Sequence, residues 1–264
     1  MKTTVQDVIN TIIIDELNKE ETVDKLEFGD KNSIVKGISV TFLATYEVIK
    51  KTIELGANFI ITHEGIFYSH KGNLKEFESD PVFKNKLDLI KSNNISIFRF
   101  HDSIHRYDPD GIMLGLLKRL SFEDYEVKRN RLYSVIELPD KTLLEIIKYI
   151  KKTLNIKYVR FIGDLSMKCN RIGILVGYRG TGEIAIPLFS KENLDVLIYG
   201  EGPEWETPEY VRDAISQGKK RALVVLGHAE SEKFGMEYIS SIIKEKFSDI
   251  SVYYFSQPSI FRVY

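Results

Sequence analysis

The chain has 264 residues, with 37 basic and 38 acidic side chains and an apolar fraction of 43%. That balance offers no long-range attraction to a polyanion or an anionic surface, so neither a nucleic acid nor a membrane is an expected partner. The apolar content suits one large or two ordinary cores rather than disorder, and the single cysteine, Cys169, excludes an internal disulfide framework and a thiolate zinc cluster.

Residues 4–19 read as an amphipathic helix, with Val5, Val8, Ile9, Ile12, Ile13 and Leu17 at helical spacing. Asp7, Asn10 and Asp15 interrupt this stretch, unlike the apolar run of a secretory signal. Short β-rich runs follow near 33–42, 58–62 and 95–100, separated by helical patterns near 44–55 and 80–92. A second set predicts strands near 132–138, 157–162, 171–177, 194–199 and 221–226, helices near 140–154, 207–217 and 231–246, and a last strand in "ISVYYF". The alternation implies βαβ units and an α/β fold with mostly parallel sheets. The charged, weakly periodic stretch 120–131 marks a boundary, giving a first lobe at 1–125, a second at 126–220, and a strand-helix-strand segment at 221–264 that returns to the first lobe. No window approaches the about 20 apolar residues of a membrane span, and a cytoplasmic location is the expectation, consistent with the sparse cysteine.

Four of the five histidines stand where apolar runs end: His63 in "NFIITHEG", His101 and His105 in "ISIFRFHDSIH", and His228 in "ALVVLGHAESE". Open α/β sheets assemble their sites at the carboxyl ends of strands. Glu64 directly follows His63, and Glu232 comes four residues after His228, so one helical turn aims both of that pair at one point. His101 and His105 are also four apart and share a helical face. Imidazole and carboxylate together form a shell that divalent ions accept, whereas zinc, iron, manganese and nickel share these ligand types. Asp102, Asp108 and Asp110 add oxygens nearby but also fit ordinary turn and helix-start chemistry, so the histidines rank first.

Other features read more plainly. His70 falls in the polar loop "YSHKGN", with contact to a substrate as the lesser alternative, and Cys169 has no neighbours that tune a thiolate. The glycines of "GYRGTGEI" suit a tight turn better than a phosphate cradle, since they match neither nucleotide fingerprint. In "YGEGPEWETPEY", Glu201 is a candidate cleft residue, while Trp205 and Pro208 read as loop packing, and Glu230 sits on another side of its helix near the positive dipole end.

With these residues in view, the chain resembles the Nif-three-like family of dinuclear-metal proteins, some of which are called GTP cyclohydrolase I type 2 homologues. The likeness runs from the N-terminal helix through "GANFIITHEG", "HDSIH" and "YGE" to "GHAESE". The family pattern places two adjacent histidines after the "IT" strand, a histidine and an aspartate four apart, and a glycine-histidine followed four residues later by glutamate. His63, His101, His228 and Glu232 match, whereas Glu64 replaces the second adjacent histidine and His105 replaces the aspartate. The resemblance implies two α/β lobes with a metal cleft between them, a dinuclear metal centre and a ring-shaped homohexamer.

The resulting expectation is a hydrolase acting with metal-activated water on a small phosphate-bearing or nucleotide-like substrate. One or two divalent ions would be held by His63, His101, His105, His228 and Glu232, with Glu64 as ligand or catalytic base and His101 as ligand or orienter. The alternative is a non-catalytic metal carrier, regulator or interaction platform. A third reading makes the glycine turn a metal-free ligand module.

Overall fold

The first helix begins at a reciprocal cap. In the computed structural model, which describes residues 2–14, 21–70 and 74–264, Asp7 N–H donates to Thr4 Oγ1 at 3.2 Å while the Asp7 carboxylate accepts from Thr4 N–H at 2.8 Å. This satisfies two of the N–H groups that a helix start leaves open. Helix α1 (Val5–Ile12) buries Val5, Val8, Ile9 and Ile12 and then gives way to an extended Ile13, earlier than the expected end at 19. Leu17 and Asp15 lie outside the described residues.

The chain divides into two compact units, one comprising Met1–Gly111 with Met236–Pro258 and the other Ile112–Gly235 with Ser259–Tyr264. Among the described residues each contains one sheet. In unit 1 the strands are β1 (Lys25–Phe28), β2 (Ile38–Thr41), β3 (Phe59–Thr62), β4 (Ser96–Arg99) and β11 (Val252–Phe255), in the order β1-β4-β3-β2-β11. Only β1 runs antiparallel to its neighbour. Strands β2, β3 and β4 are buried at every position, as expected of parallel strands covered on both faces. Helices α2 (Tyr46–Glu54) and α3 (Pro81–Ser92) supply Ile49, Phe83 and Ile90 to a core with Ile60 and Ile97. Each such fully buried side chain contributes about 1.5–3 kcal/mol relative to exposure.

Unit 2 contains β5 (Glu126–Arg129), β6 (Ser134–Thr142), β7 (Arg160–Ile162), β8 (Lys168–Ile174), β9 (Val196–Tyr199) and β10 (Ala222–Val225), in the order β5-β6-β8-β9-β10-β7, with helix α6 (Leu143–Leu154) following β6. Here the expectation of mostly parallel pairing needs revision. Strands β8, β9 and β10 are parallel, but three antiparallel pairings flank them. The reason is connection length: four residues separate β5 from β6, enough for a hairpin, whereas a parallel crossover needs about a dozen.

The observed division also differs from the expected 125/126 boundary. The chain passes into unit 2 after Gly111, ahead of α5 (Gly111–Leu120) for all but its first residue, and the charged stretch at 120–131 contains β5. Within 221–264, β10 belongs to the second sheet and only β11 joins the first. Helix α9 (His228–Lys246) contributes its first eight residues to unit 2 and the rest to unit 1. Among the described residues, no helix is long and apolar enough to cross a membrane.

Candidate metal centre

Sheet register brings two histidine segments together in unit 1. Thr62 at the end of β3 lies opposite Arg99 at the end of parallel β4, so the segments beyond them leave the sheet as neighbours. His63 is the first residue after β3, and His101 precedes the short helix α4 (Asp102–His105), which His105 closes. Asp24 fixes this turn: its carboxylate accepts from the backbone N–H groups of His101, Asp102 and Ser103 at 2.6, 2.8 and 2.8 Å. The His63 ring stacks on His101 at 4.6 Å, and His105 meets each of them edge-on at 5.2 Å. Their donor nitrogens lie within 4.8 Å of one another, a spacing compatible with one ion.

Each ring in this cluster has an oxygen partner at Nδ1. His63 Nδ1 faces the Phe100 carbonyl at 3.0 Å, His101 Nδ1 the Asp102 carboxylate at 2.8 Å, and His105 Nδ1 the Asp110 carboxylate at 2.9 Å. Oxygens of these kinds accept, so the rings donate from Nδ1 and retain their lone pairs at Nε2. This is the arrangement that sets tautomer and orientation in metal-ligating histidines. The hydrogen bond from His101 holds the Asp102 carboxyl well below the ordinary carboxylate range, outweighing its partial burial. His63 is fully buried, and Asp110 is nearly so.

Glu64 occupies a second environment in the same unit. Its Oε2 lies 3.2 Å from Arg99 Nη2 and 3.3 Å from His70 Nδ1, while Oε1 lies 3.6 Å from His101 Nε2. Glu64, His70 and His101 form a further group with donors close enough for an ion. Gly65 permits the tight turn that follows, because a Cβ there would stand 2.7 Å from the Ser69 carbonyl oxygen. Lys86 secures the same loop: its Nζ donates to the Ile66 carbonyl and lies 5.4 Å from the Phe67 and Tyr68 ring centroids, and burial pushes the amine down to about 8.

Unit 2 builds its candidate group from the ends of three parallel strands. Gly177 lies beyond β8, Glu201 beyond β9 and His228 beyond β10. His228 Nε2 lies 3.1 Å from Glu232 Oε2, one turn along α9, and its Nδ1 lies 3.0 Å from Glu201 Oε2. Gly177 makes the approach possible. It has φ +57°, and a Cβ would fall 2.0 Å from Glu232 Oε1. A cavity of about 560 Å³ opens beside this group, lined in part by Tyr158, Arg160, Glu201, His228, Glu230 and Phe261.

The glycine-rich stretch resolves as a turn whose N–H groups are used within unit 2. Gly177 donates to Ser231 Oγ, Gly180 to the Glu201 carbonyl and Gly182 to the Glu206 carboxylate, leading into α7 (Gly182–Lys191). A phosphate cradle would need those donors. Trp205 does not pack as expected, being 78% exposed, whereas Pro208 lies in the first turn of α8 (Thr207–Ser216). Cys169 is buried, and that burial pushes its thiol up to about 12, which favours an inert structural role.

Two α/β units, each with histidine and carboxylate donors at the carboxyl ends of parallel strands, define an α/β protein equipped with groups able to hold a metal. The Duf34/NIF3 (NGG1p interacting factor 3) family matches residues 4–259, and the chain belongs to that family. It is 28% identical over 255 residues to a Clostridium perfringens protein named GTP cyclohydrolase 1 type 2 homolog, covering 92% of each chain. A Clostridium acetobutylicum protein of the same name is 26% identical over 230 residues, covering 84% of this chain and 79% of its own. The fold is similar to that of a Staphylococcus aureus hypothetical protein, with TM-score 0.78, 18% identity and full coverage of both chains. A Bacillus cereus protein related to NIF3 has TM-score 0.78 and 16% identity, covering 99% of this chain and 100% of its own.

The structure therefore brings His63, His101 and His105 together, places Glu64 beside His101, and pairs His228 with Glu232. Sequence reasoning missed Arg99, Asp24 and the attachment of Asp102 and Asp110 to the imidazoles. His70 reads from sequence as a loop residue, with contact to a substrate as the lesser alternative. Arg99 alone carried a signal, as a charge inside the apolar run "ISIFRF".

Proposed function

We propose that this chain is a metal-dependent hydrolase of a small phosphate-bearing or nucleotide-like substrate. The observation that carries the reading is the three-imidazole cluster, with Nδ1 of every ring directed to an oxygen acceptor. In unit 1 the donors His63, His101 and His105 fit a divalent ion, and in unit 2 His228 and Glu232 offer a further imidazole and carboxylate pair, so the chain would hold one or two ions in all. When bound, such an ion acts as a Lewis acid and lowers the pKa of coordinated water to about 7 in favourable sites.

The surrounding residues have distinct tasks in this reading. Arg99 keeps Oε2 of Glu64 engaged, so proton acceptance falls to Oε1. Asp102 and Asp110 hold their imidazoles in register. Within unit 2, the cavity beside His228 is of the size that small-molecule sites have. We further propose assembly as a homo-oligomer, with the hexamer implied by the family resemblance as the state to check by light scattering.

Elemental analysis of untagged protein, followed by turnover of a nucleotide and phosphoester panel that includes GTP, tests the reading. Stoichiometric metal and turnover of a panel member are expected, with Glu232→Ala lowering kcat/KM by more than about 100-fold. Stoichiometric metal with no turnover by any panel member would instead favour a non-catalytic metal carrier or regulator.

A further inference from the structure

A fourth imidazole stands at the rim of the unit 1 cluster. The side chain of His70 is 53% exposed, and its ring centroid lies 4.9 Å from that of His101 in an edge-on arrangement. The surroundings define its tautomer. Arg99 is 3% exposed and carries only hydrogen-bond donors. Its Nη1 donates to the His70 carbonyl at 2.7 Å, while Nη2 lies 3.0 Å from His70 Nδ1 and 3.2 Å from Glu64 Oε2.

A group that can only donate requires acceptors opposite it. His70 Nδ1 must therefore present its lone pair, and the ring proton belongs on Nε2. The 3.3 Å separation between His70 Nδ1 and Glu64 Oε2 then describes two acceptors sharing the two hydrogens of one guanidinium nitrogen. Placing the proton on Nδ1 would instead set an N–H against the guanidinium at 3.0 Å. Burying an arginine is costly unless it is paired and hydrogen-bonded, and among the described residues two of the three polar contacts of this guanidinium go to His70.

We propose that His70 is a substrate-binding donor that presents Nε2–H to an anionic oxygen of the phosphate class, with Arg99 as the positioning residue that fixes the tautomer. The inference rests on the hydrolase reading above and specifies how that site recognises its substrate. A fixed N–H beside a cation site donates to phosphate oxygen without reorganising as charge develops. His70 is accordingly distinguished from a metal ligand, despite its proximity to Glu64 and His101. A cation at Nδ1 would have to displace the buried guanidinium and meet its charge at close range.

The test uses the full chain loaded with zinc and inorganic phosphate as the probe. Long-range ¹H–¹⁵N spectra should show His70 as the Nε2–H tautomer, and Arg99→Met should abolish that fixed signature. His70→Ala should retain its zinc and bind phosphate about tenfold more weakly, as loss of one hydrogen bond to a charged group predicts. His70→Gln, which restores an N–H donor, should recover most of that loss. Because His70 lies on a half-exposed loop, these variants carry the test even if Arg99→Met fails to fold. Loss of zinc in His70→Ala, unchanged phosphate affinity, an Nδ1–H spectrum or a zinc-loaded wild type that binds no phosphate would each overturn the assignment. Phosphate binding through His70 without turnover of any phosphoester would support it while overturning the hydrolase proposal.

Discussion

The two candidate donor groups are built by different means. In unit 1, register between β3 and β4 places His63 beside the His101–His105 turn, and separate oxygens from Phe100, Asp102 and Asp110 orient the rings. In unit 2, helical spacing puts His228 against Glu232 where Gly177 leaves room, and an exposed carboxylate, Glu201, meets the other ring nitrogen. A donor group set by sheet register depends on long-range topology and is anchored in the interior. One set by helical spacing is specified locally and depends on whatever leaves room around the helix start.

The largest test of this contrast is His63→Ala. His63 is fully buried, so the substitution removes a donor and also leaves the Phe100 carbonyl without its partner. Metal affinity measured by chelator competition should fall by more than about 100-fold, beyond the 10–100-fold typical of a residue that only orients a ligand. A loss below about tenfold would make the unit 1 cluster a set of packed core histidines.

Asp110→Asn probes the anchors instead of the donors. The nearly buried carboxylate accepts from His105 Nδ1, whereas an amide can present a donor there, so metal affinity should fall by about 10–100-fold. Asp102 gives the same anchor a pH signature. Its folded-state pKa is depressed, so its stabilising contribution is complete above the ordinary carboxylate range near pH 4 and is lost as pH falls through the folded value. Urea unfolding should therefore show a larger loss between pH 5 and pH 3 in the wild type than in Asp102→Asn. Equal losses would show that the His101 contact does not couple to folding.

Gly177→Ala shifts attention to unit 2. The added Cβ must either move Glu232 or distort a backbone held at φ +57°, at a cost of about 1–2 kcal/mol. An affinity loss of about tenfold, reversed by no change in salt, is expected if Glu232 moves. Unchanged affinity with lowered Tm would place the strain in the backbone alone.

What the sequence made legible follows the same division. Strands β2, β3 and β4 read clearly because they are buried on both faces, and the His228–Glu232 pair reads clearly because its spacing is one helical turn. Strands β1 and β5 escaped notice because they are edge strands with exposed or half-exposed charge in "KLEF" and "EVKR". Asp24 could not be linked to His101 from spacing, since 77 residues separate them and only the sheet brings them together. Asp102 and Asp110 carried ordinary turn signals, and no sequence pattern reveals that Arg99 faces His70 Nδ1. Ligand types can be read from residue identity, but their tautomers depend on contacts that the fold creates.

Glu201→Gln completes the comparison because Glu201 and Asp110 make the same kind of contact in opposite surroundings. Both carboxylates meet Nδ1 of a candidate ligand, at 3.0 and 2.9 Å, but the Glu201 side chain is 48% exposed and that of Asp110 only 3%. Water can replace an exposed partner of His228 and screens the charge that stabilises its ring, whereas the Asp110 site has little access to either remedy. Glu201→Gln should therefore weaken metal binding by only about threefold, less than Asp110→Asn, with the difference growing as ionic strength falls. If the two substitutions cost the same at 0.15 M salt, burial does not decide the strength of these anchors, and the His228 group must be as tightly specified as the cluster around His63.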